Sequence, residues 1–224
     1  YQRVGELPEQ TWERAWADMP TKGQFYFVLG CEGGRQKFGV EPNGEVFLGE
    51  NFIRRVPGKD TPRLGWDGRE LRYGFGLPQT ASGDRSILDG YLPVIHTAWV
   101  DGSLCYEQEA YATWLEGDIL NDRMEGDDPV VAMMRIKVTN RSAGPVEVRL
   151  PLTATVDGQG PQKLEARDGL VYADGPSATR MCYGIDIGAV GELCNGNGEV
   201  AYEFSVPSCS AHTFTIKLPF IDLT

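Results

Sequence analysis

The stretch LCYEQEAYAT at 104–113 sets two glutamates two positions apart. Successive side chains of a strand alternate faces, so Glu107 and Glu109 would project from one side, with Cα atoms about 6.8 Å apart. Glycosidases place two carboxyl groups on opposite sides of a sugar bond, about 5 Å apart for retention or about 6.5–9.5 Å for inversion. The separation is compatible, but neighbours on one strand face point in parallel and do not flank a bond. If the glutamates face outward, Tyr106, Gln108, Ala110 and Ala112 form the other side and the core holds a glutamine. If they face inward with Cys105 and Tyr111, two buried charges need partners. Two expectations stand side by side: the solvated face of a sheet, or a sugar-binding groove edged by Glu107, Glu109, Tyr111 and Trp99.

Other chemistry is sparse. His96 and His212 are the only histidines, too few for a histidine-rich metal site. Either could pair with a carboxylate for acid–base work, since histidine titrates near neutrality. The plainer expectation is a hydrogen-bonded strand histidine at His96 and a turn-flanking residue at His212. The sequence contains no GxSxG, GxxxxGK[ST] or HExxH, so no nucleophile elbow, phosphate loop or zinc-protease helix is expected. The acidic run Glu125-Gly126-Asp127-Asp128 lacks EF-hand spacing and reads as a solvated turn. Neither a metal nor a cofactor is expected. Trp66, Trp99 and Trp114 are the tryptophans that could stack on sugars if exposed, the alternative being burial in a sheet core.

The 224 residues carry 21 Lys and Arg against 32 Asp and Glu, a net charge of −11. Such a surface repels phosphate backbones, and with no basic cluster to overcome the repulsion nucleic acid is not an expected partner. Five cysteines, at 31, 105, 182, 194 and 209, form no CxxC pair, which excludes zinc ribbons and thioredoxin-like redox motifs. Cys105 is expected to behave as a small buried hydrophobe. No apolar run approaches the roughly 18 residues that a membrane span needs. The chain opens on Tyr1, so it is expected to have been cut from something longer or to have lost a leader. An Asn140-Arg141-Ser142 sequon is present.

The elements that must position these groups read as strands. The 28 glycines and 14 prolines make up nearly a fifth of the chain, so turns must be frequent. Only residues 1–22 look helical: Trp12, Ala15, Trp16 and Met19 form a stripe that Pro20 stops. QFYFVLG, RQKFGVE and EVFLGENF follow, the last two joined by Asn43-Gly44, a strong hairpin signal. Residues 55–90 read as a long loop region with one short strand near LRYGFG. YLPVIHTAWV and SLCYEQEAYATWL are joined at Asp101-Gly102. VVAMMRIKVTN puts Val130, Ala132, Met134, Ile136 and Val138 on one face. VEVRLPLTATV does the same with Val146, Val148, Leu150, Leu152, Ala154 and Val156, and the two are expected to pair as a hairpin. Pro151 predicts an edge strand, or a nitrogen facing away from the ladder. GLVYAD, TRMCYGIDIGAV, EVAYEFSV and HTFTIKLPF complete about a dozen strands. The pattern predicts a single all-β domain over 1–224, an antiparallel β-sandwich with one short N-terminal helix.

Three segments in this order, GYLPVIHTAWVDGSLCYEQEAYAT (90–113), DPVVAMMRIKVTNRSAGPVEVRLPL (128–152) and EVAYEFSVPSCSAHTFTIKLPF (199–220), carry a resemblance. They resemble the N-terminal β-sandwich of bacterial glycoside hydrolases and phosphorylases, the supersandwich or galactose-mutarotase-like domain. In those enzymes a following barrel of paired helices carries the general acid and base. The resemblance implies an accessory module without catalytic residues of its own, partnered by a catalytic domain of the same parent chain and, through its loops, by carbohydrate. Trp66, Asp67 and the 116–128 loop would be such contributions. The opening 90 residues do not map onto the family. The asparagine–histidine motif of stand-alone mutarotases is not found, which counts against that option; the alternatives are a stand-alone mutarotase- or epimerase-like or lyase-like sugar enzyme, or a carbohydrate-binding module.

Overall fold

A computed structural model describes residues 11, 13–15, 26–48, 70–78, 84–90, 92–117, 126, 128–174, 179–186 and 191–220. In chain order the strands are β1 (Phe27–Leu29), β2 (Phe38–Val40), β3 (Val46–Leu48), β4 (Leu71–Gly74) and β5 (Asp84–Ile87). Next come β6 (Ile95–Asp101), β7 (Leu104–Trp114), β8 (Val130–Asn140), β9 (Val146–Val156) and β10 (Leu164–Arg167). The last five are β11 (Leu170–Asp174), β12 (Thr179–Asp186), β13 (Gly191–Gly196), β14 (Glu199–Val206) and β15 (Ala211–Pro219). They form two antiparallel sheets, of order β1-β2-β3-β4-β9-β14-β13 and β10-β11-β12-β15-β8-β7-β6-β5. The predicted all-β sandwich is what is observed. Of the N-terminal helix, the described part is Glu13–Ala15, where Ala15 N–H donates to Thr11 O at 2.9 Å. Trp12, Trp16 and Met19 lie outside the described residues.

Period-two alternation makes the layers. Val130, Ala132, Met134, Ile136 and Val138 are all 0% exposed, whereas Arg135 and Lys137 between them face water. Val148, Leu150, Leu152 and Ala154 are buried in the same way on β9, and both sets belong to one core. Each valine, leucine, isoleucine or methionine among them contributes about 1.5–3 kcal/mol on leaving water, before entropy is counted. The expected hairpin between β8 and β9 does not form. β8 pairs with β7 and β15, β9 pairs with β4 and β14, and residues 141–145 carry the chain from one sheet to the other. Alternation states which side of a strand is dry; it is met equally by pairing edge to edge and by facing across a sandwich.

The crossing is fixed by Asn140, which is 0% exposed. Its Nδ2 donates to the carbonyls of Gly144, Val206 and Pro207 at 2.8, 3.0 and 3.3 Å, and its Oδ1 accepts from Ser142 N–H at 2.8 Å. Its own N–H donates to Ser210 O at 2.8 Å. Residues 207–210 are another of the places where the chain changes sheets, from β14 to β15. One side-chain amide thus ties both corners together. The sequon asparagine is therefore committed inside the folded protein.

Turn chemistry differs in detail from expectation. The β2–β3 connection has three residues, Pro42, Asn43 and Gly44, with Gly44 N–H donating to Glu41 O at 3.0 Å. Gly44 closes the loop at φ +84°, a bulge geometry that suits glycine. The β6–β7 turn is centred on Gly102-Ser103, because Asp101 pairs with Leu104. Gly102 takes φ +58° at the first central position, as a type II′ turn requires. β9 is an interior strand, so the edge reading of Pro151 is corrected. Pro151 pairs with Ala201 on one side and lies past the end of the β4 ladder at Thr153 on the other. Strands β5, β10 and β13, all at sheet edges, were not anticipated from the sequence.

Replacing Asn140 by alanine removes its bonds to the Gly144, Val206 and Pro207 carbonyls and to Ser142 N–H; Gly144 O keeps a second donor in the Ser142 hydroxyl at 2.8 Å. The change should cost roughly 2–4 kcal/mol of stability. Urea unfolding of Asn140→Ala beside Arg141→Ala, an exposed neighbour expected within about 0.5 kcal/mol of the parent, checks this.

Candidate functional site

Glu107, Glu109 and Tyr111 share the outward face of β7. Across the ladders Ala98 stands opposite Glu107 and Glu107 opposite Lys137; His96 stands opposite Glu109 and Glu109 opposite Arg135; Tyr111 faces Met133. Lys137 Nζ lies 2.8 Å from Glu107 Oε2, and Arg135 Nη1 lies 3.1 Å from Glu109 Oε2. His96 Nε2 approaches Glu107 Oε1 at 3.7 Å on the diagonal. The carboxylate side chains keep 31% and 35% of their surface in solvent, so this is an open sheet face. Opposite charges facing each other across strands stabilise by a few tenths of a kcal/mol each.

The electrostatics fit that placement. The hydrogen bond from Lys137 holds the Glu107 carboxyl below its ordinary range; partial burial opposes this, and the charges of Lys137 and His96 add to it. Glu107 is consequently an anion at neutral pH and a poor proton donor. Both carboxylates point outward in parallel, each occupied by a cation from the neighbouring strand. The arrangement can accept and donate hydrogen bonds to hydroxyl groups laid across it.

Trp99 does not join this face. It is 2% exposed, pairs with Tyr106 and lies inside the sandwich, so the proposed groove of Glu107, Glu109, Tyr111 and Trp99 is not formed. The sequence carried the signal. Either two-residue turn, Asp101-Gly102 or Gly102-Ser103, pairs odd-numbered residues of β6 with even-numbered residues of β7. Parity alone puts Trp99 beside Tyr106 and Gln108. The core does hold a glutamine: Gln108 is 1% exposed, and its Nε2 donates to Gly44 O at 3.0 Å.

Trp66 and Asp67 lie outside the described residues. Of the 116–128 loop, the described residues are Glu116, Gly117, Gly126 and Asp128. The loop leaves and rejoins the sheet where Leu115 N–H donates to Pro129 O at 2.7 Å. Trp114 is half-buried. Among the described residues no cluster of three or more His, Cys, Asp or Glu side chains is placed to hold a metal ion. Cys105 is buried, as its strand position predicted.

The two histidines are on opposite sides of the eight-stranded sheet. His212 follows the 207–210 turn as the second residue of β15, but its side chain is buried. It shares the inward face with Phe214, Ile216 and Leu218, and its ring lies 4.5 Å from that of Phe204. Its Nε2 and the Tyr202 hydroxyl are 3.0 Å apart. Burial pushes the imidazole below its usual value and the Tyr202 hydroxyl up to about 12, so both stay neutral.

A comparison with known protein families finds no match, and neither does one with curated proteins.

The depressed His212 value has a consequence for stability. The unfolded chain, with an ordinary histidine near pH 6.5, binds a proton that the folded form resists. This contribution is fully present above the unfolded value and is lost as pH falls through the folded one. Urea midpoints should therefore drop between pH 7.5 and pH 5 by more in the parent than in His212→Gln; equal drops would contradict the assignment.

Proposed function

We propose that this chain is a β-sandwich module of a larger carbohydrate-active enzyme, which packs on a catalytic domain and offers its eight-stranded sheet to sugar. The observation that supports it most is the pairing of Glu107 with Lys137 and Glu109 with Arg135 on an open face. Such a face suits multiple hydroxyl contacts and lacks carboxyl groups opposed across a gap, as glycoside cleavage uses. The resemblance of residues 90–113, 128–152 and 199–220 to supersandwich domains supports the same reading. Catalysis in the parent enzyme then belongs to another domain.

One observation favours a second reading. His96 beside Glu107 is a histidine–carboxylate pair on an accessible surface, the minimum that a sugar epimerase or lyase requires.

Two measurements separate these readings. Oligosaccharide titration followed by amide NMR should shift signals of Glu107, Glu109, Tyr111, Arg135 and Lys137, and Glu109→Gln should weaken binding several-fold. Shifts elsewhere, or none, would remove the sugar-contact role. Purified chain should turn over neither glycosides nor anomeric sugars; turnover that His96→Ala abolishes would establish the second reading instead.

A further inference from the structure

The interior of the sandwich contains a polar row that the sugar-contact reading does not use. Among the described residues, six polar or charged side chains are buried: Gln36, Arg85, Thr97, Gln108, Asn140 and His212. Gln36 Oε1 accepts from Val130 N–H at 2.9 Å, while Asn140 and His212 have the partners given above. The other three occupy one line. Arg85 on β5 stands opposite Thr97 on β6, which stands opposite Gln108 on β7. Trp99 follows two residues along β6 on the same inward face.

Two members of the row reach the facing sheet. Arg85 Nη2 donates to Val40 O at 3.1 Å, with its guanidinium 4.5 Å over the Phe27 ring, and Gln108 Nε2 donates to Gly44 O. Among the described residues, Thr97 Oγ1, Trp99 Nε1 and Gln108 Oε1 of this row have no hydrogen-bond partner. Their residues are 0%, 2% and 1% exposed. Buried polar atoms without partners are few in any native protein, and each carries an uncompensated desolvation penalty. Three on adjacent register positions are a cluster, not a scatter.

Their chemistry is complementary to one kind of molecule. The indole N–H can only donate, the amide oxygen can only accept, and the hydroxyl can do either. Neighbouring strands lie about 4.8 Å apart and residues two along a strand about 6.8 Å, so the three side chains leave one inward face within roughly 8 Å of one another. We propose that the Thr97–Trp99–Gln108 row is an internal water site. A bound water there accepts from Trp99 Nε1–H, donates to Gln108 Oε1 and hydrogen-bonds the Thr97 hydroxyl, giving the three contacts typical of buried water. The site lies against the β2–β3 turn. A side chain at Gly44 would come within 2.9 Å of Trp99 and 3.0 Å of Gln108 Oε1. The water therefore helps hold that turn against β7 and couples the facing sheets at their β5–β7 end.

The test rests on a difference of sign. If the hydroxyl is a partner of bound water, Thr97→Val removes a satisfied bond and should lower the melting temperature by about 2–4 °C. If it is an orphan, the same isosteric change removes a penalty and should raise the melting temperature or leave it unchanged. Independently, water should show NOE and ROE cross-peaks of opposite sign to the Trp99 indole proton, which separates bound water from proton exchange. Trp99→Phe identifies the signal. A lowered melting temperature together with those cross-peaks supports the site. An unchanged or raised melting temperature overturns it, and so does absence of the cross-peaks whatever the melting temperature.

Discussion

Two sheets can share a core only if the chain passes from one to the other at some cost in backbone hydrogen bonding. A turn that bridges layers lies over the ends of the core, where its carbonyls are shielded from water yet belong to no ladder. Asn140 resolves that conflict for two such passages at once, reaching residues 66 and 67 positions further along the chain. An amide side chain suits the position because it donates and accepts at once without bringing a charge inside. The orientation of β8 against β9, and of β14 against β15, follows from this corner. So does the facing of the buried alternations on β8 and β9.

The sequence displayed the faces of the long strands openly. Val130 to Val138 and Val146 to Val156 announce their dry sides because an apolar residue stands at every second position. It did not display which strands would be neighbours, because one alternation is compatible with both lateral pairing and facing across layers. The strands it concealed were β5, β10 and β13. Their sequences DRSI, LEAR and GELCNG are short and largely polar. An edge strand is ordered by its neighbour's backbone more than by its own side chains, so little periodicity need appear in it. His212 was misjudged for a related reason: next to a turn, a histidine looks peripheral until the register of the final strand is followed inward.

The outward face of β6, β7 and β8 shows what the alternation decided about chemistry. The carboxylates of Glu107 and Glu109 were legible as a same-side pair, and the cations that meet them, Arg135 and Lys137, were legible as the outward residues of the next strand. The meeting itself depends on the β7–β8 register, which is set across the long 115–129 connection and leaves no local trace in the sequence. Trp99 is the reverse case. Its position followed from counting residues through a two-residue turn, and chemical resemblance to sugar-stacking tryptophans obscured it.

The concealed edges have a bearing beyond this one fold. Open sheets present unpaired backbone groups that invite strands of other molecules, and long, flat, oily margins are the usual seeds of fibrils. Here β5 and β10 bound the larger sheet with four residues each, and Asp84, Glu165 and Arg167 stand on them in solvent. β13 bounds the smaller sheet with Gly191, Glu192 and Asn195 among its six residues. The opposite margin, β1, is only three residues long although it exposes Val28. Brevity and charge at these borders work against pairing with the strands of other molecules.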